Sequence, residues 1–136
     1  MRASGILMPI SSLPSAHGIG AMGAEARRFV EFLSKAGQAY WQILPICPTS
    51  YGDSPYQSFS TFAGNPYFID LDELAKRDLL LPEEYENIDW ESAPDTINYG
   101  ALYEKRYKVL RCAASRLLAK PVSYTHLRAH ETCADL

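Results

Sequence analysis

Long apolar runs are missing from this chain, and the longest, such as Gly5 to Ile10 and Tyr40 to Cys47, fall far short of the roughly 20 residues that cross a bilayer. No membrane partner is expected. A basic cluster is missing too. With 13 Lys and Arg against 16 Asp and Glu and a net charge of −3, the chain offers no face that could neutralise phosphates, which argues against a nucleic-acid partner. The N-terminus lacks a basic segment followed by a long apolar core and a small-residue cleavage site, so a cytoplasmic location is expected. Cysteine is scarce: Cys47, Cys112 and Cys133 have neither metal-type nor disulfide-framework spacing, and they read as reduced thiols. The glycines do not form a phosphate loop, and nothing in residues 1–121 pairs a nucleophilic Ser or Cys with a convincing base. Internal repeats and low-complexity linkers are absent.

What is present has the balance of a soluble globular domain, with 47% hydrophobic and 21% charged residues in 136. The last stretch stands apart. Each residue from Val122 to Thr132 matches one reading frame of a transposase adaptor used to prepare sequencing libraries, and Asp135-Leu136 can be read across the join into that adaptor's next constant stretch. Residues 122–136 are therefore expected to be adaptor-derived, and residues 1–121 to be the genuine part. The expectation disarms a decoy. His126 and His130, at i and i+4, and Cys133 resemble part of a zinc ligand set, but Glu does not directly follow the first His as the zinc-protease motif needs, and no metal site is assigned. His17 is then the sole histidine, which weakens any acid–base scheme built on imidazole.

Within 1–121 the apolar run Gly5–Ile10 reads as a buried strand stopped by Ser11-Ser12-Leu13-Pro14. A helix is predicted from about Ala24 to Ala36, with Ala26, Phe29, Val30, Leu33 and Ala36 at helical spacing and Gly37 at its end. Tyr40–Leu44 reads as a second strand, bounded by Pro45. Strand, helix and strand in that order predict a parallel pair with a right-handed crossover, the elementary α/β unit. Both strands are apolar on both faces, as a sheet covered by helices requires. A short helix over Asp70–Leu80 is predicted with Asp70 or Asp72 as cap, then a turn at Pro82–Tyr85. Asn98 caps a longer helix, whose apolar positions Tyr103, Tyr107, Leu110, Ala114 and Leu117 recur at helical spacing.

The segment with the most chemistry follows the second strand. Tyr51-Gly-Asp-Ser-Pro-Tyr-Gln57 and the run to Asp70 are dense in aromatics, amides, hydroxyls and turn formers, without helical or strand periodicity. In α/β folds the carboxyl ends of parallel strands carry binding sites. Tyr51 and Tyr56 can offer ring faces to the C–H side of a sugar while Ser54 and Gln57 bond its hydroxyls. The alternative is that Gly52, Pro55 and Gly64 shape a turn and the aromatics roof the core. Asp53 and Asn65 read as turn residues. Asp70, Asp72 and Glu73 read as capping groups rather than the opposed carboxylates of a glycoside-cleaving site.

Ser12-Leu-Pro-Ser15, Gly18-Ile-Gly20, Tyr40-Trp-Gln42, Leu44-Pro45, Tyr51–Gln57 and Gly64-Asn-Pro-Tyr67 together resemble the N-terminal region of the 4-alpha-glucanotransferases, also called amylomaltases or disproportionating enzymes, over residues 2 to about 118. Two departures occur: His17 stands where an aromatic such as Tyr is usual, and Ala21 where Asp often follows Gly-Ile-Gly. The resemblance implies the N-terminal portion of an alpha-amylase-type (β/α)8 barrel, incomplete in this chain. It also implies transfer of alpha-1,4-glucan segments between maltooligosaccharides, starch or glycogen by retaining double displacement, with no metal or organic cofactor. An Asp nucleophile, a Glu acid–base and a stabilising Asp carry that chemistry in the family, on strands far downstream, so no catalytic residue is expected here. What transfers is glucan contact: Ser54 and Tyr56 match positions lining the active-site cleft, and Tyr51 a position of a second glucan-binding groove. A barrel needs about 250 residues, so the chain is expected to be an inactive fragment that folds poorly alone. A non-catalytic glucan-binding or interaction module is the alternative.

Overall fold

The computed structural model describes residues 2–50, 52–93 and 95–120. Strand β1 (Gly5–Leu7) and strand β2 (Tyr40–Gln42) pair in parallel, with Gly5 opposite Tyr40, Ile6 opposite Trp41 and Leu7 opposite Gln42. Helix α1 (Ala24–Lys35) connects them, so the expected parallel unit is present. Bonds from Ala39 N–H to Ser4 O at 2.9 Å and from Met8 N–H to Gln42 O at 3.0 Å extend the ladder by one step at each end.

Both strands are shorter than the apolar runs suggested. Pro9 has no N–H to give the ladder, and the chain turns directly into a single 3-10 turn at Ile10–Ser12. Leu44 precedes Pro45, and pairing ends at Gln42. The expectation of strands covered on both faces is also corrected. Ile6 and Trp41 are half-buried, Trp41 against α1, but Leu7 is 56% and Tyr40 67% exposed, because the described residues supply no second layer.

Helix α1 follows from its sequence. Glu25 lies in the first turn and Lys35 in the last, complementing the helix dipole. Gly37, at φ +67°, closes the end: its N–H reaches Ser34 O and that of Gln38 reaches Leu33 O, the paired bonds of a left-handed cap. Ala26 and Leu33 are buried, and Phe29 meets Trp41 edge to face at 5.0 Å. Val30, expected on the buried stripe, is half exposed. The Trp41 indole donates to Met8 O at 2.8 Å, tying both strands and the helix together.

A larger core lies to one side, where Ile19, Tyr67, Leu71, Leu79, Leu80, Tyr85, Trp90, Leu102, Val109 and Ala113 pack together. Helix α2 (Leu71–Lys76) enters it, and its cap is Asp70, whose Oδ1 accepts from Glu73 N–H at 2.9 Å. It is shorter than expected because Asp78, at φ +56°, reverses the chain: Leu79 N–H returns to Leu74 O, which buries Leu79 and Leu80. Asn98 caps helix α3 (Tyr99–Ala101) through a 3.0 Å bond from Ala101 N–H. A π-helical stretch at Leu102–Arg106 joins it to helix α4 (Tyr107–Ala119).

The buried stripe of this last helix differs from the predicted one. Leu102, Arg106, Val109 and Ala113 face the core, whereas Tyr103 is 68% and Leu117 50% exposed. Tyr107 and Leu110 pack only at its edge. The charge of Arg106 hid the stripe, since a fully buried guanidinium breaks an otherwise apolar repeat. It is accommodated because it donates to His17 O and Ile69 O, each at 2.8 Å, and lies over the Trp90 ring at 5.8 Å. Burial pulls its pKa down to about 10, with the Asp70 charge opposing, so it stays charged at neutral pH.

The boundary expected at residue 121 and the segment 122–136, with His126, His130 and Cys133, lie outside the described residues. Among the described residues no helix is long and apolar enough to cross a membrane.

Candidate functional site

Beyond β2 the chain leaves the sheet at its carboxyl end and runs without regular structure until a 3-10 turn at Pro66–Phe68. The loop is closed at its neck, where Asn65 N–H donates to Ile46 O at 2.7 Å. Asn65 is buried and its side chain accepts from Tyr67 N–H at 3.0 Å, so it has the turn role expected of it. A second closure, Ser50 N–H to Gln57 O at 3.0 Å, pinches off the tip. Inside the tip, Asp53 N–H bonds Ser50 O and Gln57 N–H bonds Ser54 O, each at 3.1 Å, with Gly52 at φ +98° and Asp53 at φ +55°. Asp53 is thus a turn residue, as read.

The tip brings Ser54 and Tyr56 together. Ser54 Oγ accepts from Tyr56 N–H at 3.3 Å, and Ser54 is half-buried while the Tyr56 ring is 72% exposed. Tyr51 lies outside the described residues. Two rings that the sequence reading did not assign to a site also stand in solvent: Phe59 at 76% and Phe62 at 100% exposure. Their only signal in the sequence is aromatic content in a stretch without periodicity. None of these three rings packs into the core formed by the described residues.

Under the tip lies a cavity of about 210 Å³, bordered by Ser11, Thr49, Asp53, Pro55, Asn65 and Tyr99 among others. Tyr99 leads into a row of rings: Tyr67 is 6.2 Å from Tyr99 and 5.4 Å from Tyr107, which meets Tyr103 edge to face at 5.5 Å. Burial, helped by Tyr107 and Asp53, pushes the Tyr67 hydroxyl up to about 12, and burial with Asp53 raises that of Tyr99. Both hydroxyls are therefore protonated donors at neutral pH.

The carboxylates nearby are engaged structurally. Asp70 caps α2, Asp72 accepts from the Tyr85 hydroxyl at 2.9 Å, and Glu73 pairs with Arg27 and with Lys76, the latter at 3.0 Å. No two of them face each other across open space as a glycoside-cleaving pair would. His17 sits half-buried, edge-on to Tyr85 at 5.1 Å and 4.0 Å from Asp72; burial lowers its pKa, while Asp72 raises it. It fills core space. Among the described residues no group of three or more His, Cys, Asp or Glu could hold a metal ion. The loop leaves the Tyr56, Phe59 and Phe62 rings in solvent, among residues that carry short hydroxyls.

A sequence profile of the 4-alpha-glucanotransferase family matches residues 8–132. The chain belongs to the 4-alpha-glucanotransferase family. It is 58% identical over 106 residues to the 4-alpha-glucanotransferase of Clostridium butyricum, covering 78% of this chain and 22% of that protein. To the Thermus thermophilus 4-alpha-glucanotransferase it is 49% identical over 111 residues, covering 81% and 21%. The fold agrees with a solved amylomaltase from Streptococcus agalactiae in complex with acarbose, at a TM-score of 0.86 and 44% identity, over 99% of this chain and 26% of that one. The α/β unit and its helical flank thus form part of the amylomaltase fold, and the chain spans about a fifth of the length of these curated relatives. The family match runs to residue 132, into the stretch whose residues match a reading frame of an adaptor.

Proposed function

We propose that the full-length protein containing this region is a cytoplasmic 4-alpha-glucanotransferase, which moves alpha-1,4-glucan segments between maltooligosaccharides, starch or glycogen. The observation that carries the reading is the family match across most of the chain at up to 58% identity, with the fold of an amylomaltase. In this reading the remainder of the protein completes a (β/α)8 barrel and contributes the nucleophilic and acid–base carboxylates of a retaining double displacement, because the carboxylates around α2 are committed to caps and pairs. The loop after β2 is one wall of the glucan cleft. Tyr51, Ser54 and Tyr56 are its contacts: ring faces lie on the sugar's C–H surface, and the Ser54 hydroxyl, which accepts one bond from Tyr56 N–H, can also donate. The chain alone, without an opposed carboxylate pair among its described residues, is inactive.

Incubation of the full-length protein with maltotriose tests this. Redistribution into longer and shorter glucans is expected, and glucose released by hydrolysis alone would refute it. Residues 122–136 we assign to adaptor DNA; sequencing the locus through codon 121 should show different codons beyond it, and a locus that itself encodes Val122–Leu136 would overturn the assignment.

A further inference from the structure

Past its tip, the loop is a hydrogen-bonded frame that presents an apolar surface. Ser58 Oγ donates to Ser60 O at 2.7 Å and accepts from Ser60 N–H at 3.2 Å, and Ser60 Oγ accepts from Ala63 N–H at 3.2 Å. The Cys47 thiol donates to Thr61 O at 3.5 Å, and with the neck bond from Asn65 N–H to Ile46 O it ties residues 58–65 to the chain leaving β2. On this frame stand Phe59 and Phe62, with Ile46 half exposed at its base. Among the described residues neither ring joins a core cluster.

The exposure of Phe62, at 100%, decides what can cover it. Both faces of its ring are open. A sugar stacked on an aromatic ring covers one face and leaves the other in water, whereas a protein interior closes on both. Phe also lacks the hydroxyl that keeps one end of Tyr56 hydrated, so its whole surface gains by burial. The loop starts at the carboxyl end of β2, the end at which the βα loops of a barrel crowd together. The fold agrees with that of the solved amylomaltase over 99% of this chain but only 26% of the other, and the chain spans about a fifth of its curated relatives. Most of what packs around the loop in a full-length protein is therefore the rest of the same polypeptide.

We propose that Phe59 and Phe62 are docking anchors: in the full-length protein both rings seat in an apolar pocket of the remaining polypeptide and so hold Ser54 and Tyr56, at the tip, in place against the rest of the barrel. The proposal rests on the reading of this chain as part of a larger glucanotransferase. It gives the rings of the loop different partners, glucan for Tyr56 and protein for the Phe pair.

The test compares the native full-length protein with Phe59→Ala, Phe62→Ala, Phe62→Leu and Tyr56→Ala by thermal denaturation and by calorimetric titration with maltoheptaose. Leu fills an apolar pocket but offers no flat face, so it separates packing from stacking. Docking predicts that either Phe→Ala variant lowers the thermal midpoint by about 5 °C and Phe62→Leu by about 2 °C, while Tyr56→Ala keeps it. Phe62→Leu should also bind maltoheptaose within about twofold of native. Native midpoints in both Phe→Ala variants overturn the proposal, and if those variants do not fold, a native midpoint in Phe62→Leu does so. About tenfold weaker binding by Phe62→Leu at a native midpoint would make the ring a sugar platform and overturn it as well. So would a native dimer that Phe62→Ala converts to monomer in size-exclusion chromatography, since a second copy would then cover the ring. Redistribution of maltotriose by the native protein tests the glucanotransferase reading apart: without it that reading fails, while the midpoints still report on docking.

Discussion

Arg106 donates a 2.8 Å hydrogen bond to the main-chain oxygen of His17, which lies 89 residues earlier in the chain. The other arm of its guanidinium bonds Ile69 O, so one side chain joins the π-helical stretch before α4 to the segment before α1 and to the segment that carries the end of the loop after β2 into α2. Replacing it by Ala leaves two carbonyls unpaired and opens a cavity, and is expected to cost about 4 kcal/mol. Lys cannot reproduce the fork and should recover only part of that. Urea denaturation of the full-length protein measures both; a loss below about 1 kcal/mol for Arg106→Ala would show that the clamp does not hold the core.

Gly20 and Gly37 should respond differently to the same substitution. A Cβ on Gly20 would stand 2.1 Å from Ile10 O and 2.8 Å from Leu13 N and O, all main-chain atoms that cannot swing away. Gly20→Ala is expected to cost about 3 kcal/mol. At Gly37 nothing lies within 4 Å of the added atom, and only the left-handed backbone at φ +67° resists it, so Gly37→Ala should cost about 1 kcal/mol. Thermal denaturation of the two variants checks the order.

The Glu84–Arg116 pair predicts a pH dependence. Two hydrogen bonds from the Arg116 guanidinium, the Nη2 bond at 2.7 Å, and a bond from Leu81 N–H at 2.8 Å hold the Glu84 carboxyl down at about 2, against an ordinary 4.5. A carboxyl whose folded pKa is depressed stabilises the fold above its unfolded pKa and loses that contribution as pH falls through the folded value. The gap in thermal midpoint between the native full-length protein and its Glu84→Gln variant should therefore be constant above about pH 5, shrink below it and close near pH 2. A gap that is unchanged at pH 2 would contradict the pairing.

Elements whose signals are local could be read from the sequence. Gly37 ends α1, and Asp70 and Asn98 cap their helices, because each acts within a few residues of where it stands, whereas Pro9 lay inside the predicted first strand and ended it early. The parallel pairing of β1 with β2 followed from the helix between them. Features that depend on distant partners were not legible. Arg106 looks like a surface residue until the carbonyls of His17 and Ile69 are placed around it, and its charge moved the predicted stripe onto Tyr103 and Leu117. Leu7 and Tyr40 look like core but are exposed, since apolar composition records what a strand can bury and not what covers it here. In the loop, Ser54 and Tyr56 stood out because turn formers and aromatics are unusual together, whereas the solvent exposure of Phe59 and Phe62 needed coordinates.

The central claim is that the loop after β2 contacts glucan through Tyr56, and calorimetric titration of the full-length protein with maltoheptaose tests it most directly. Native protein should bind, and Tyr56→Ala, whose ring is 72% exposed and supports no core, should bind about tenfold more weakly at an unchanged thermal midpoint. Equal affinity in the two proteins would contradict the account.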